Sequence, residues 1–416
     1  MDEITLFLMH FATNDLENQV TKQEIMTAIE KRLSQSHIFL NNSQLLAVLF
    51  AFIKYGKGSE AFYELMEQRT LTLIDTFTVE QLRKLIIIYA NLPKYAHRIF
   101  IAIEKHVIDN IKKIPRGFIS TLIQTFAELG YTSERLYGHA QNILISNVYN
   151  MDNEEFSKNL WAFSTQGEAK DLFFKKASEC IKAKIDQYNA KQLSTFVWSL
   201  SKVNFEDQEL FDKIEEQIYA KLQTNSYSIR DISRILWAYI QNVPLRPPTV
   251  DLMKSECERL KKDAEAWDIA IILWGFNKFE PYPVADFFKN LQDVSTELLP
   301  EMTNYELSIS LRAYAETNVG DEALYKAFVE KTLEVLEGMN YSEVISCVYS
   351  YSIVSCVENS MFKEVIEKLK ERAKYLQNQI QVQEAEKLEK SKLDIDLQSL
   401  EMYLKNEAKE RSQKGE

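Results

Sequence analysis

The sequence predicts an all-α protein, a right-handed α-solenoid of about nine helix-turn-helix repeats of 37 residues each. A tryptophan-centred pattern recurs at 159–164, 196–201, 235–240 and 272–277, and a fixed period of this length is typical of stacked-repeat proteins. Residues suited to helix N-termini recur at the same spacing. Glycine and proline are scarce, with ten and eight in 416 residues. Because sheets need many turn residues, this scarcity favours helices joined by short connections.

Residues 1–40 are predicted to form two N-terminal capping helices. An apolar run covers 4–11, and Thr21 with Glu24 has the spacing of a capping box, in which two side chains satisfy free backbone N–H groups at a helix start. An end repeat has only one neighbour to cover it, so a solenoid needs such a cap.

Residues 41–373 are predicted to form the nine repeats. One large apolar position, which we call the hallmark position, recurs at steps of 37 to 39 residues. It is occupied by Phe52, Tyr89, Phe126, Phe163, Leu200, Tyr239, Phe276, Tyr314 and Tyr351. Eleven residues before it stands an N-cap residue in most repeats, and three residues later a Gln, Asp or Glu completes a capping box. Each repeat is therefore predicted to contain a capped helix A, a short turn and a helix B.

Residues 374–416 are predicted to form a charged C-terminal helix that ends in a frayed tail. This segment has no proline, and its only glycine is Gly415. Four leucines lie on one face at helical spacing, namely Leu393, Leu397, Leu400 and Leu404. Such a stripe folds back on the last repeat or docks on a partner, and both alternatives stay open.

Charge and targeting features narrow the function classes. The net charge of −12 argues against a general polyanion binder, although it allows a local basic strip. The four cysteines have no Cys-x-x-Cys spacing, which predicts buried thiols in a reducing compartment. The acidic start Met1-Asp2-Glu3 is unlike a secretory signal. No apolar run reaches the roughly 18–20 residues of a transmembrane helix, so no membrane span is predicted.

The best-preserved repeats resemble a known family. Leu160 to Ser164 read Leu-Trp-Ala-Phe-Ser and are followed in the second helix by Leu172 and Phe173. A 37-residue two-helix unit with this motif resembles the heptatricopeptide repeats, which are related to the octotricopeptide and FAST-kinase-like repeats of organellar RNA-binding proteins. The resemblance covers 41–373 and implies RNA work in mitochondria or plastids, or a place in an organellar ribosome. It does not extend to an endonuclease-like RAP module after the repeats.

Catalytic signatures are missing from the sequence. It has no dinucleotide-binding glycine motif, no Walker loop and no His-Glu-x-x-His. None of the five histidines pairs with another at helical metal-site spacing. We therefore predict that the protein is not an enzyme and that it uses no cofactor and no metal.

The exposed side of helix A is the candidate binding face. The positions five before and two after the hallmark are seven residues apart, so they share one helical face. Across the repeats they hold six basic and two acidic residues, and the candidate binding residues are Lys84, Lys158, Lys202, Arg234 and Lys278. Side chains on such a face can read single-stranded RNA, one or two per repeat.

A mixed-charge, merely solvated face is the alternative. Acids recur eight positions before the hallmark, and they bring the charge of the row to about −1 when counted with it. They are Glu155, Asp231, Asp268, Glu306 and Glu343.

The tryptophan position also allows two interpretations. Trp161, Trp198, Trp237 and Trp274 occupy it in successive repeats. Aromatic rings at this position could stack nucleobases or could fill the inter-repeat core. The core interpretation is favoured because Phe50 and Ile87 stand at the same position in other repeats.

Two functions follow from the sequence. The first is a non-catalytic scaffold or adaptor that binds protein partners within a large multi-subunit assembly, expected to be mitochondrial. The alternative is a single-stranded RNA-binding protein that acts in organellar RNA processing or in the mitochondrial ribosome. The mitochondrial location rests on the resemblance, and the cytoplasm is the alternative because no presequence is evident.

Overall fold

The computed structural model describes residues 19–166, 171–242, 244–279 and 284–381. Within these ranges the chain forms helices and no strands, and the fold is the predicted α-solenoid of helical hairpins.

The A helices follow the predicted repeat. They are α2 (Asn42–Lys54), α4 (Val79–Ala90), α6 (Arg116–Glu128), α8 (Asn153–Gln166), α10 (Ala190–Lys202), α12 (Ile229–Asn242), α14 (Ala266–Lys278), α16 (Asn304–Thr317) and α18 (Tyr341–Ile353).

Helix α1 (Gln19–Ser36) precedes the first repeat. The B helices of the repeats alternate with the A helices. They are α3 (Glu60–Leu73), α5 (Pro93–Asp109), α7 (Glu134–Ile145), α9 (Asp171–Ala183), α11 (Gln208–Leu222), α13 (Pro247–Leu260), α15 (Ala285–Leu298) and α17 (Glu322–Val335). Helical residues 363–381 take the B place in the ninth repeat.

The chain divides into two compact units, and the boundary lies within α11. Unit 1 is Met1–Gln217 and unit 2 is Ile218–Glu416. Within each unit, an A helix packs on the A helix of the next repeat, and a B helix packs on the next B helix. Each hairpin therefore contributes its apolar face to a core that it shares with its neighbours.

The predicted capping boxes start most A helices. Seven are complete, with the pairs Asn41/Gln44, Thr78/Gln81, Asn189/Gln192, Ser228/Asp231, Glu265/Asp268, Thr303/Glu306 and Asn340/Glu343. At the start of α8, Asp152 accepts the backbone N–H of Glu155, while the Glu155 carboxylate bonds to the preceding A helix. The exception is α6, where Pro115 occupies the N-cap position and no side chain caps the helix. These local hydrogen bonds explain why the helix starts could be located from spacing alone.

The hallmark side chains are buried in all nine repeats. Three hallmark tyrosines each place a hydroxyl beside a hydroxyl 19 residues earlier, on the preceding B helix: Tyr89 with Thr70 at 2.9 Å, Tyr314 with Ser295 at 2.9 Å and Tyr351 with Thr332 at 2.8 Å. Where the hallmark is phenylalanine, the residue 19 earlier is apolar or a thiol, as in Val107 before Phe126 and Cys257 before Phe276. A buried hydroxyl needs a hydrogen-bonding partner, and these three pairs supply one. The fourth hallmark tyrosine, Tyr239, has Ala220 at the matching place, so the pairing is specific to three repeats.

Several predicted features lie at the ends of the chain. Residues 1–18 and 382–416, with the four C-terminal leucines, lie outside the described residues. Thr21 lies inside α1, so its predicted role as a helix cap is wrong. Helical residues 363–381 run through the boundary that the sequence placed at 373.

Two further sequence predictions concern cysteines and membranes. Cys180, Cys257 and Cys347 are buried free thiols as expected, but Cys356 is exposed. Among the described helices, none combines the length and the apolar character that crossing a bilayer requires.

Candidate functional site

The site is built on the side of the A helices that faces away from the hallmark residues. We call it the helix-A face and define it by the positions nine, five and two before the hallmark and two after it. These positions fall on one side of an α-helix because their spacing follows its turns. In unit 1 the face carries five lysines and three glutamates, and in unit 2 it carries three arginines, one lysine and one glutamate.

The acids eight positions before the hallmark are used inside the protein. The Glu155 carboxylate accepts a hydrogen bond from Ser120 Oγ at 2.8 Å and lies 3.2 Å from Arg116 Nη2, both on the preceding A helix. The carboxylates of Glu306 and Glu343 each accept the backbone N–H of their own N-cap residue at 2.8 Å. These acids cap helices and join repeats, so the sequence-based count overstated the negative charge of the face.

Asp268 shows the same use most fully. Its side chain is buried, accepts from Ser233 Oγ at 2.7 Å and lies 2.9 Å from Arg230 Nε. Burial raises the pKa of this carboxyl, and the hydrogen bond from Ser233 opposes that shift. The guanidinium of Arg230 also stacks on the Trp267 ring, 4.9 Å from its centroid. The charges of Asp268 and Arg230 are therefore paired with each other within the fold and are not available to a ligand.

Three predicted binding residues lie in unit 1. Lys84 is an exposed residue of α4. Lys158 is exposed on α8, with Nζ 3.0 Å from Glu154 Oε1. Lys202 ends α10 and places Nζ 5.2 Å from the centroid of the Trp198 ring. A surface ion pair one helical turn apart is worth only about 0.3–0.5 kcal/mol, so Lys158 can exchange it for a phosphate.

The other two predicted residues lie in unit 2. Arg234 is half-buried on α12, and burial lowers the pKa of its guanidinium, which nonetheless stays charged at neutral pH. Lys278 is exposed at the end of α14. Of the five residues predicted to form one row, three thus lie in unit 1 and two in unit 2.

The tryptophans of the repeat pattern are half-buried rather than fully internal. In unit 2, Trp237 and Trp274 pack with Trp267 against a buried apolar cluster of Ala270, Ile271 and Ile309. At the same position in unit 1, Phe50 and Ile87 are 54% and 57% exposed. The position therefore forms part of the helix-A face, and the core interpretation describes only one side of these rings.

A groove of about 710 Å³ lies on the helix-A face of unit 2, between α14, α16 and α18. Trp274, Tyr305 and Tyr349 contribute aromatic walls, and Lys278 stands among the lining residues. Tyr305 and Tyr349 are 49% and 44% exposed, which leaves large parts of their rings open to solvent. The groove combines open aromatic surface with a cationic side chain.

A polar network fixes the groove across two repeats. Arg312 Nε donates to Glu316 Oε1 at 2.7 Å, and its guanidinium stacks 5.2 Å from the centroid of the Tyr349 ring on the next A helix. Asn277 of the preceding A helix donates to the same Glu316 carboxylate. Burial raises the pKa of Glu316, but the hydrogen bonds from Arg312 and Asn277 outweigh it and hold the pKa below its usual value. The carboxylate stays ionised and anchors three A helices.

Sequence reasoning followed the positions five and two before the hallmark and two after it, and it missed this groove because it left out the position nine before. The position nine before the hallmark carries Arg230, Trp267 and Tyr305 in successive repeats of unit 2. Including that position would have shown an aromatic concentration there. Within the described part of the chain, no group of His, Cys, Asp and Glu residues is arranged to hold a metal ion.

Comparison with known proteins gave one family match. The model of a family described as RNA-editing substrate-binding complex 6 protein matches residues 2–242, more than half of the 416-residue chain. A search of curated proteins found no match.

Proposed function

This chain belongs to the family of RNA-editing substrate-binding complex 6 proteins, and from that premise we propose that it is a non-catalytic subunit of such a complex that binds single-stranded RNA. The observation that carries the proposal is the charge of the helix-A face. In unit 1 its five lysines outnumber its three glutamates, and the acids eight positions before the hallmark cap helices and join repeats instead of adding to the face.

The chemistry of the face fits an unpaired strand better than a duplex. Lysines such as Lys84 and Lys158 would contact phosphates, and half-buried rings such as Trp198 would support bases. Backbone charge and aromatic stacking together are the usual basis of single-strand binding. The candidate binding residues remain Lys84, Lys158, Lys202, Arg234 and Lys278.

Assembly with protein partners is the second candidate, and it is compatible with the first. The exposed surface of α15 and α17 is acidic, with Asp286, Asp293 and Glu297 on α15 and Glu322, Glu330 and Glu334 on α17. The lysines of these two helices are Lys289, Lys326 and Lys331, and Lys331 lies 3.1 Å from Glu334. Such a surface would repel RNA and suit a basic protein partner, which supports a scaffold within a multi-subunit complex.

The proposal also includes a mitochondrial location and repeats of the heptatricopeptide type. The likeness of 41–373 to heptatricopeptide repeats supports a mitochondrial protein of the organellar helical-repeat type. We retain the division into N-terminal capping helices (1–40), nine repeats (41–373) and a charged C-terminal helix (374–416).

A salt titration of RNA binding tests the function. We would measure binding of the full chain to a mixed-sequence single-stranded RNA between 50 and 200 mM salt. The test variant carries Lys84→Glu, Lys158→Glu, Lys202→Glu and Lys278→Glu. The matched control reverses four B-helix lysines, Lys105→Glu, Lys175→Glu, Lys289→Glu and Lys326→Glu.

The two variants have equal net charge, so only the position of the charges differs. Each lost phosphate contact should reduce the slope of log K against log salt by about 0.7. We expect the slope of log K against log salt to fall by up to about 3 in the test variant and to stay at its wild-type value in the control. Absence of wild-type binding at 50 mM salt, or equal loss in both variants, would refute RNA binding by this face.

A further inference from the structure

We infer that the groove between α14, α16 and α18 holds an unpaired nucleobase. The inference rests on the proposed RNA function but names a site and a contact that charge alone does not provide. The groove lies at residues 274–349, outside the 2–242 span of the family match. The arguments for base binding therefore rest on the side chains that line the groove.

The first argument is open aromatic surface. Tyr305, Tyr341 and Tyr349 line one groove with 49%, 37% and 44% of their surfaces exposed, while the hallmark tyrosines of the same repeats are buried. Trp274 adds a fourth ring, whose other side packs on Ile309 and its neighbours. A ring that is backed by a core, as Trp274 is, is rigid, and a base can stack on it with little loss of side-chain entropy.

The second argument is the fixed arginine. Arg312 lies over the Tyr349 ring, 5.2 Å from its centroid, and is held by Glu316, so its guanidinium is already fixed in the lining of the groove. A guanidinium has five N–H donors, of which Nε–H serves Glu316 here. Bases that are splayed from a strand stack on such arginine planes and bond through their edges. Arg312 can therefore supply both a stacking surface and donors.

The third argument is the distribution of charge. The acids that line the groove are committed, Glu316 to Arg312 and Asn277, and Glu343 to the backbone N–H of Asn340. Lys278 adds an exposed cation to the lining. A neutral base on the rings and its phosphate near Lys278 match this layout. A basic protein segment would face Arg312 and Lys278, so RNA is favoured over it.

A fluorescent base tests the groove directly. We would bind the full chain to a short single-stranded RNA that carries one 2-aminopurine, whose emission falls when the base stacks. Tyr305→Ala and Tyr349→Ala remove one ring each from exposed positions, where folding is least at risk. Tyr375→Ala is the matched control, because Tyr375 is an exposed tyrosine outside the groove. Tyr349→Phe should retain binding, since it keeps the ring.

We expect each groove variant to weaken binding roughly 5- to 150-fold, to lose the quenching and to keep the wild-type salt slope. Tyr375→Ala and Tyr349→Phe should behave as the wild type. Unchanged affinity and quenching in both alanine variants would overturn the groove while leaving the lysine-based function intact. Quenching that survives reversal of the four helix-A lysines, with an unchanged salt slope, would instead support the groove and remove the lysine face.

A protein occupant would give another result. The alanine variants would lose a co-purifying subunit while RNA affinity and quenching stayed at wild-type values. That outcome would also overturn the nucleobase assignment.

Discussion

The two units use the same A-helix framework but finish its outer face differently. In unit 1 the position five before the hallmark is exposed lysine at Lys84 and Lys158. In unit 2 the same position is buried at Ile271 and Ile309, beneath half-buried tryptophans. The same place in a repeat is thus a charged surface in two repeats of unit 1 and the floor of an aromatic layer in two repeats of unit 2. The remaining repeats lie between these extremes, with Thr195 buried in unit 1 and Arg234 half-buried in unit 2.

One contact between neighbouring A helices of unit 2 leaves no room for a side chain. Gly275 lies on α14 against α12, where an added Cβ would meet Ile240 Cδ1 at 3.1 Å and Leu236 Cβ at 3.3 Å. The matching position is small in most repeats of both units, but in unit 1 two repeats carry the larger Ile88 and Thr125. The comparison shows that exposure in a repeat protein is set by the neighbour as well as by the position.

Removing a hallmark ring should lower the stability of the protein more than any other change proposed here. Phe163→Ala in unit 1 and Phe276→Ala in unit 2 each delete a buried hallmark ring. Each should lower the free energy of unfolding by about 3–5 kcal/mol, because burial and contacts are lost and a cavity remains. Chemical denaturation of the full chain measures this. A loss below 1 kcal/mol in either unit would show that the framework is not shared.

The close contact of Gly275 with α12 in unit 2 should be the next most sensitive to substitution. Gly275→Val should cost about 1–3 kcal/mol through overpacking against α12. Gly117 on α6 is the control, because an added Cβ there meets nothing within 4 Å. Gly117→Ala should stabilise the protein by about 0.5–1 kcal/mol, as expected for removing a glycine from a helix. Thermal melts of both variants decide whether the two A-helix surfaces differ as described.

Alkaline pH should weaken the repeats that have tyrosine hallmarks. Burial raises the pKa of Tyr89, Tyr314 and Tyr351 above the ordinary value near 10. Stability is therefore complete below about pH 10 and falls as the pH rises above it, by up to about 1.4 kcal/mol per pH unit for each group. Tyr351→Phe should reduce this slope in a denaturation series from pH 9 to 11. An unchanged slope would mean that other groups cause the loss.

The hydroxyl pairs themselves should be worth about 1 kcal/mol each at neutral pH. Tyr314→Phe leaves Ser295 with its second partner, the Leu291 carbonyl, so the remaining hydroxyl keeps one hydrogen bond. The double variant with Ser295→Ala should cost less than the sum of the single changes, because both remove one shared bond. Additive costs would show that the 2.9 Å contact contributes no coupling.

The smallest effect should be the surface ion pair of unit 1. Glu154→Gln removes the partner of Lys158 and should change stability by no more than about 0.5 kcal/mol. The same change should strengthen RNA binding slightly, because it removes a negative charge from the helix-A face. Weaker RNA binding by Glu154→Gln would contradict the assignment of Lys158 to phosphate.

Local signals made the fold predictable, whereas the groove depends on distant neighbours. Asn41 with Gln44 and Thr303 with Glu306 begin helices through contacts within four residues, so spacing revealed them. The placement of Arg312 over Tyr349 joins residues 37 apart in the chain, and no single repeat contains it. The carboxylate of Asp268 was visible in the sequence, but its burial was not, because Arg230 and Ser233 come from another repeat.

The hydroxyl pairing has a consequence for how this chain can evolve or be rebuilt. Three of the four tyrosine hallmarks have a threonine or serine behind them, as Tyr351 has Thr332, whereas Phe276 has a thiol there and Tyr239 has Ala220. If one of these three modules were moved next to a repeat without that hydroxyl, the tyrosine or its former partner would lose a hydrogen bond. Transplanting such a module therefore means carrying the preceding B helix along with it.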